Sequence, residues 1–452
     1  MVTTLGTPTG RRVARRWSGR PRAGWATDLV TTLLGGWVVA GLVADGHAHV
    51  NAPRLETFFT PSHGVLYSGY VAVSVWIGWQ VLAWRRRGRT GLGAVPVGYG
   101  LGLLGAAVFA AGGLADLAWH SLLGIEADVE ALLSPPHLLL FLGVVLISTT
   151  PWRAAWSWPG PAAPSFRVFL PVLLSVVATA MFVAFFLLHL SPFSDWAPTS
   201  ARAALFTGHE QRELFQSHGV AEILVTTAAL LLPLLLLVRR WRPPFGSATV
   251  LFTTVAVLTS AIFDFRQGAL VLAGLVGGLT ADLLVGWLRP AASRPGAVRA
   301  LATAVPAALW LPYFGLVAAR YGLGWPATLW AGSVVLASLA GLALGLLAAP
   351  PDARHGRTSL EGALAPSGDR RLPPRLRRTR RKRHTTYVAS SFGSSRSNGR
   401  KVLGPSCVAR LLALRPGGVI LLIPMVVVLV AGLWLILRPI VSGGRTGKGE
   451  DR

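Results

Sequence analysis

The sequence contains little charge and almost no cysteine. Only 13% of its 452 residues are charged, and Cys407 is its single cysteine. One cysteine can form neither an internal disulfide bond nor a cysteine-based metal cluster, which excludes a disulfide-stapled secreted domain. The scarcity of charge, together with 52% apolar residues and a mean hydropathy of +0.53, also excludes a soluble enzyme and a collagen-like chain.

Acidic residues are especially scarce, and 18 Asp and Glu face 43 Lys and Arg, for a formal net charge of +25. The basic residues are concentrated outside the apolar segments. Residues 1–27 hold six arginines and no acid, residues 84–94 hold four arginines, and residues 350–415 hold 16 Lys and Arg against three acids. This distribution indicates an apolar body with basic edges rather than a basic nucleic-acid-binding domain.

Long apolar segments dominate the rest of the chain. About 20 apolar residues in a helix cross the hydrocarbon core of a bilayer. The sequence therefore predicts an all-α fold, a polytopic transmembrane bundle of about 10 or 11 spans, with the lipid bilayer as its partner. The predicted spans are 28–47, 61–84, 96–119, 135–150, 168–190, 217–238, 247–265, 268–287, 298–319, 326–349 and 417–437.

Basic residues in short loops predict the orientation, because cytoplasmic loops carry an excess of Lys and Arg. Arginines follow the second, fourth, sixth and eighth spans, and the alternate loops carry few of them. This pattern predicts a cytoplasmic N-terminus. The Ala-, Gly- and Arg-rich composition with little lysine is typical of a high-GC bacterium, and so of a plasma membrane. Nothing in the sequence predicts an oligomeric state.

Composition divides the chain into five regions. They are a basic cytoplasmic N-terminus (1–27), a transmembrane region rich in His, Asp and Glu (28–240), further transmembrane helices (241–349), a basic disordered cytoplasmic linker (350–415) and a final span with its tail (416–452). Within the linker, residues 370–384 carry nine Lys and Arg, which predicts contact with anionic lipid headgroups. A solvated tail is the alternative, and no nucleic-acid partner is expected.

A polar motif occurs twice in the N-terminal half of the chain. The first unit contains Asp45, His49, Glu56, Thr60, Pro61 and His63, and the second contains Asp116, His120, Glu130, Ser134, Pro135 and His137. The spacings from Asp to His and from Glu to the second His are the same in both units. Such agreement, over a period of 71 to 74 residues, predicts two duplicated two-helix units.

The motif has the composition of a metal site. Asp45 and His49 are four residues apart and share one helix face, as do Asp116 and His120. Thr60 and Ser134 are predicted N-cap residues, with proline at the first helical position. The second histidine of each unit then lies at the start of the next helix, where it favours the neutral, metal-binding form. Without a thiolate, these ligands suit copper, zinc or iron.

Further polar residues are predicted to extend the site. Glu56 and Glu130 are expected to act as general bases or as outer partners of the ligands. A divergent third unit is predicted from His189, His209, His218 and Glu222, with His209 in a loop. Two alternatives to metal binding remain open: a structural polar network at the membrane surface, and a path for protons or ions.

The spacing Asp-x3-His followed by a second His resembles the copper-site motif in the C subunit of particulate methane and ammonia monooxygenases. The resemblance involves Asp45, His49 and His63, or their equivalents in the second unit. It covers about 20 residues for each copy, and 13 or 16 residues separate the two histidines here. The resemblance implies copper at the outer face of the membrane. From the residues alone, the function expected is metal-dependent oxidation or hydrolysis, with a metal or proton permease, or a structural membrane protein, as alternatives.

Overall fold

The computed structural model describes residues 19–51, 60–124, 128–194, 198–201 and 208–350. Within these ranges the chain forms twelve α-helices and no β-strand, which confirms the all-α prediction. The helices are α1 (Trp25–Asn51), α2 (Pro61–Arg86), α3 (Gly100–Leu123), α4 (Asp128–Leu133), α5 (Pro135–Ser148), α6 (Thr150–Trp156), α7 (Phe166–Phe186), α8 (His209–Arg240), α9 (Ser247–Ile262), α10 (Val271–Leu288), α11 (Pro295–Arg320) and α12 (Ala327–Ala348).

Eight of these helices are long and apolar enough to cross a membrane, so the protein is a multi-pass membrane protein. The helices α5 and α6 together form a ninth candidate span that bends by 41° between them. The helix α9 has 16 residues and would reach about 24 Å, which is short of the hydrocarbon thickness. Each predicted span from 28–47 to 326–349 therefore corresponds to a helix, although two of them are not simple spans. The predicted span 417–437 and residues 351–415 lie outside the described residues.

The helix α7 lies at the centre of the bundle. It is the most buried of the long helices, and it packs against α1, α5, α8 and α9. Sequential neighbours form antiparallel hairpins around it, namely α1 with α2 and α3 with α5. On the other side, α10 packs against α9 and α11, and α11 packs against α12. The two polar units thus lie on two separate hairpins.

The hairpins give the bundle two chemically different ends. The end of α1 and the start of α2, with Asp45, His49 and His63, form one end, which we call the triad end because these three residues lie together there. The start of α1 and the end of α2, with Arg22 and Arg86, form the other, which we call the arginine end. A helix of this length separates Trp25 from Asp45 by about 30 Å. The fold therefore keeps Asp45, His49 and His63 apart from Arg22 and Arg86.

A buried carboxylate closes the arginine end of α9. Asp282 on α10 accepts hydrogen bonds from the main-chain N–H groups of Ala248 (3.0 Å) and Thr249 (2.9 Å). The Thr249 hydroxyl also donates to it, over 2.7 Å. Because the first N–H groups of a helix have no partner within the helix, this carboxylate satisfies them from a neighbouring helix. Asp282 therefore has a structural role.

Candidate metal centres

The first hairpin brings three potential ligands together, which we call the first triad: Asp45, His49 and His63. Asp45 and His49 lie one turn apart at the end of α1, and the His49 Nε2 atom is 3.7 Å from the Asp45 Oδ2 atom. His63 approaches from the start of α2, with its Nε2 atom 3.4 Å from the same oxygen. Two imidazole nitrogens thus face one carboxylate oxygen.

The start of α2 fixes the position of His63. Thr60 caps the helix as predicted, because its hydroxyl accepts a hydrogen bond from the His63 main-chain N–H group over 3.1 Å. Pro61 occupies the first helical position, where its missing N–H group costs nothing. Ser62 donates a hydrogen bond to Asp45 Oδ1 over 2.8 Å. The cap therefore holds both His63 and the carboxylate that His63 faces.

The second hairpin builds the second triad from Asp116, His120 and His137. The Asp116 Oδ1 atom lies 3.3 Å from His120 Nε2 and 3.4 Å from His137 Nε2. Ser134 is at the N-cap position, but its side chain does not cap the helix as predicted. Its hydroxyl instead hydrogen-bonds to the Nδ1 atom of His137 over 2.8 Å. The cap hydroxyl is thus used to orient a potential ligand.

The two triads have closely similar geometry. The histidine ring centroids are 5.9 Å apart in each. Within each triad one ligand atom per residue can be chosen so that the three lie within 4.8 Å of one another. Ligand atoms about 2 Å from a tetrahedral ion lie roughly 3.3 Å from each other. The acid-to-histidine distances therefore fit a shared ion, and both groups can hold one.

Matching glycines set the helix spacing in both hairpins. A Cβ atom on Gly41 would lie 2.5 Å from the Cα atom of Leu66, and one on Gly112 would lie 2.9 Å from the main-chain nitrogen of Leu140. Each glycine precedes the aspartate of its triad by four residues. The helices can therefore approach closely one turn below each triad, which lets the second histidine reach the aspartate.

Both triads lie at the same end and influence each other. The carboxylates of Asp45 and Asp116 both act electrostatically on the hydroxyl group of Tyr67. The Tyr67 ring centroid is 6.2 Å from that of His63. A Cβ atom on Gly113 of α3 would lie 3.1 Å from the Tyr67 ring. Tyr67 therefore occupies space between the two triads, so the two sites are neighbours.

The predicted third unit is arranged differently. His218 and Glu222 form a pair on α8, with His218 Nε2 3.2 Å from Glu222 Oε1, and the Glu222 side chain is only 2% exposed. His209 is the first residue of α8 rather than a loop residue, and it faces Glu213 at the surface. His189 lies in a short 3₁₀ segment. Among the described residues, this region contains no third group of three potential ligands.

Two glutamates, Glu56 and Glu130, were also predicted to belong to the sites. Glu130 lies in the short helix α4, which the sequence did not predict, and nothing further is described for its side chain. Glu56 lies outside the described residues.

The sequence interpretation missed two residues of the site, Ser62 and Tyr67. Ser62 directly follows Pro61, and from that position a hydroxyl can reach the preceding helix. Tyr67 could not be found from the repeated motif, because the equivalent residue of the second unit is Phe141.

The glycines could have been found from the sequence. The extended motif Gly-x3-Asp-x3-His occurs at Gly41 and again at Gly112, and small residues at such spacing allow close helix packing.

Comparison with known proteins adds no further constraint on the site. No protein family, curated protein or solved structure matches this chain.

Proposed function

We propose that the protein is a membrane metalloprotein that binds one metal ion in each triad, at the outer face of the plasma membrane. The observation that carries this proposal is the convergence of two imidazole nitrogens on one carboxylate oxygen, formed twice on separate hairpins. Hydrogen bonding alone does not require this duplication, since helix ends at a membrane surface can be satisfied by water.

The outer partners of the second triad support metal binding. His120 donates from Nδ1 to the carbonyl oxygen of Gly124 over 3.2 Å, and the Nδ1 atom of His137 is engaged by Ser134. The Nε2 atoms then face Asp116 and remain available to an ion. Ligating histidines almost always have such a partner on the other ring nitrogen. The all-nitrogen-and-oxygen ligand set suits copper(II), zinc or non-haem iron.

The activity that we propose is metal-dependent oxidation or hydrolysis of a small or lipid-like substrate. A bound ion would supply Lewis acidity or activate water or oxygen. Glu56 and Glu130, which precede the second histidine of each triad by seven residues, would accept protons or orient the ligands. The resemblance to the C subunit of particulate monooxygenases favours oxidation and copper.

A permease is the second candidate, and Glu222 is the observation that favours it. Its carboxylate is buried in α8, and the Oε2 atom has no hydrogen-bond partner among the described residues. Buried acids in membrane helices commonly belong to ion or proton paths. A permease requires that metal cross the bilayer, so metal uptake into proteoliposomes that is lost in Glu222→Gln would favour this candidate over the enzyme.

Metal analysis of the purified protein tests the proposal. After reconstitution with copper, zinc or iron in turn, we expect two equivalents of one metal per chain. The double variant His63→Ala, His137→Ala should lose both, because each triad is left with two ligands. His209→Ala is the matched control, since that histidine lies outside both triads, and it should retain both ions. A wild-type protein that gains no stoichiometric metal would overturn the proposal.

A further inference from the structure

Three arginines at the arginine end stack on tryptophan rings in one neighbourhood. The guanidinium carbon of Arg22 lies 5.0 Å from the centroid of Trp158, that of Arg167 lies 5.6 Å from Trp25, and that of Arg240 lies 5.2 Å from Trp241. These arginines come from the segment before α1, the start of α7 and the end of α8. Stacking of this kind holds a guanidinium in a fixed orientation.

Hydrogen bonds link these residues into one cluster. Arg240 Nη2 donates to the carbonyl oxygen of Trp158 over 3.0 Å, so Trp158 is contacted by both Arg240 and Arg22. Trp25 Nε1 donates to the carbonyl oxygen of Arg167 over 2.9 Å. Because Arg22 and Trp25 belong to the same short segment, all three arginines are held around the same corner of the bundle. We call these three arginines the arginine cluster.

The positive charge of the arginine cluster is not neutralised by the described residues. Among the described residues, none of the three has a carboxylate within 4.0 Å. Asp28 is near enough for Arg22 to act on it electrostatically. Its carboxylate, however, accepts a hydrogen bond of 2.7 Å from Tyr99. Three positive charges thus meet one partly engaged negative charge.

The surface around the arginine cluster is apolar and exposed. Trp25 is 39% exposed, Phe166 is 43% exposed and Val168 is 53% exposed. In a membrane protein, tryptophan and apolar residues beside basic ones mark the boundary between headgroups and acyl chains. The neighbourhood therefore presents cationic groups and an acyl-chain surface side by side, as an anionic phospholipid requires.

We infer that the arginine cluster is a binding site for the phosphate headgroup of an anionic phospholipid. Guanidinium groups bind phosphate through paired, charge-assisted hydrogen bonds. Basic pockets between membrane helices bind lipid headgroups in this way. The site lies in the folded bundle, about 30 Å from the triads along α1, and it consists of residues other than the basic run at 370–384. It does not depend on metal binding.

Lipid retention by the purified full-length protein tests this inference. Native mass spectrometry would count phosphatidylglycerol and phosphatidylcholine bound to the wild type and to the triple variant Arg22→Gln, Arg167→Gln, Arg240→Gln. We expect the variant to bind phosphatidylglycerol on the order of 100-fold more weakly, at about fivefold for each arginine. The matched control is Arg85→Gln, Arg289→Gln, Arg294→Gln, which removes the same charge from the same end and should change the affinity by less than about fivefold.

A second variant distinguishes a shaped site from general attraction. The triple variant Arg22→Lys, Arg167→Lys, Arg240→Lys keeps the charge but loses the paired hydrogen bonds, so we expect phosphatidylglycerol binding to fall at least about tenfold. Equal binding by the wild type and the lysine variant would overturn the inference, as would equal losses in the cluster and control variants. Displacement of the lipid by inorganic phosphate alone would also overturn it, because the site would then be one for free phosphate.

Discussion

The first and second triads share one plan but differ in how open they are. In the first, the side chains of His49 and Asp45 are 35% and 10% exposed. In the second, those of His120 and Asp116 are 10% and 2% exposed, whereas the third ligands differ less and in the opposite sense, at 13% for His63 and 23% for His137. A ligand set that water can reach exchanges its ion readily and admits a substrate, whereas a closed set retains its ion. We therefore expect the first triad to be the reactive site and the second to bind its ion more tightly.

The two triads also differ at one position in each capping sequence. Between the capping proline and the histidine, the first unit has Ser62 and the second has Pro136. Ser62 donates to the carboxylate of Asp45, whereas Pro136 has no group that can do so. The second unit instead uses Ser134 to hold His137. A serine of the capping sequence therefore hydrogen-bonds to the aspartate in the first triad and to a histidine in the second.

Removing the aspartates should have the largest effect. Asp116→Ala should lose one ion per chain and weaken metal binding at that triad by more than about 100-fold, since even the loss of an outer partner costs 10- to 100-fold. Asp45→Ala should remove the other ion, with a smaller loss of thermal stability because its site is more exposed. Metal content and melting temperature measure both effects. Loss of both ions in either single variant would contradict two independent sites.

Preventing the close packing of the two helices in each hairpin should have the next largest effect on metal content. Gly112→Ala places a Cβ atom against the main chain of α5 and should cost on the order of 1–3 kcal/mol while emptying the second triad. Gly41→Ala should do the same to the first. Gly36→Ala is the control, because nothing lies within 4 Å of the added Cβ atom. Metal content of the three variants decides whether hairpin spacing holds each triad together. Unchanged metal content in Gly41→Ala and Gly112→Ala would refute this role.

The cap serines should have a moderate and unequal effect. Ser134→Ala frees the Nδ1 atom of His137 and should reduce metal affinity at the second triad by about 10- to 100-fold. Ser62→Ala should reduce affinity at the first triad less, because water can reach the Asp45 side chain, at 10% exposed, more readily than that of Asp116, at 2%, and can replace the lost donor. Competition with a fluorescent chelator measures both affinities. A larger loss in Ser62→Ala than in Ser134→Ala would reverse the comparison.

A fall in pH should reveal the smallest difference between the two triads, in the pH at which each releases its ion. Imidazole binds metal only when it is neutral, and its unperturbed pKa is about 6.5. The stabilisation that metal gives is therefore present above that pH and is lost as the pH falls below it. We expect the first triad to release its ion at a slightly higher pH, because the charged imidazolium form of His49, at 35% exposed, is better solvated than that of His120, at 10%. Metal release measured in Asp45→Ala and Asp116→Ala, each retaining one triad, checks the order.

The sequence predicted those features of the site that depend on the regular spacing of residues along a helix. The Asp-x3-His spacing and the capping prolines predicted which residues meet, since they depend only on helix geometry. The capping of α9 by Asp282 depends on a contact between helices, which spacing does not encode. The bend between α5 and α6 coincides with Pro151 in the first turn of α6, so the sequence did contain a signal for it. The different exposure of the two aspartates could not be predicted either, because burial depends on packing in three dimensions, which the spacing of residues does not encode. Glu222 and His218 were predicted to belong to a third unit, but among the described residues no third potential ligand joins them, and that outcome depends on packing.

X-ray absorption spectroscopy at the edge of the bound metal tests the central claim most directly. For the metal-loaded protein, we predict a first shell of nitrogen and oxygen only, with the outer-shell scattering of two imidazoles for each ion. The imidazole scattering per ion should be the same in Asp45→Ala and Asp116→Ala, because each variant keeps one intact triad. A sulfur ligand in the first shell, or an ion without imidazole ligands, would contradict the assignment of the triads as metal centres.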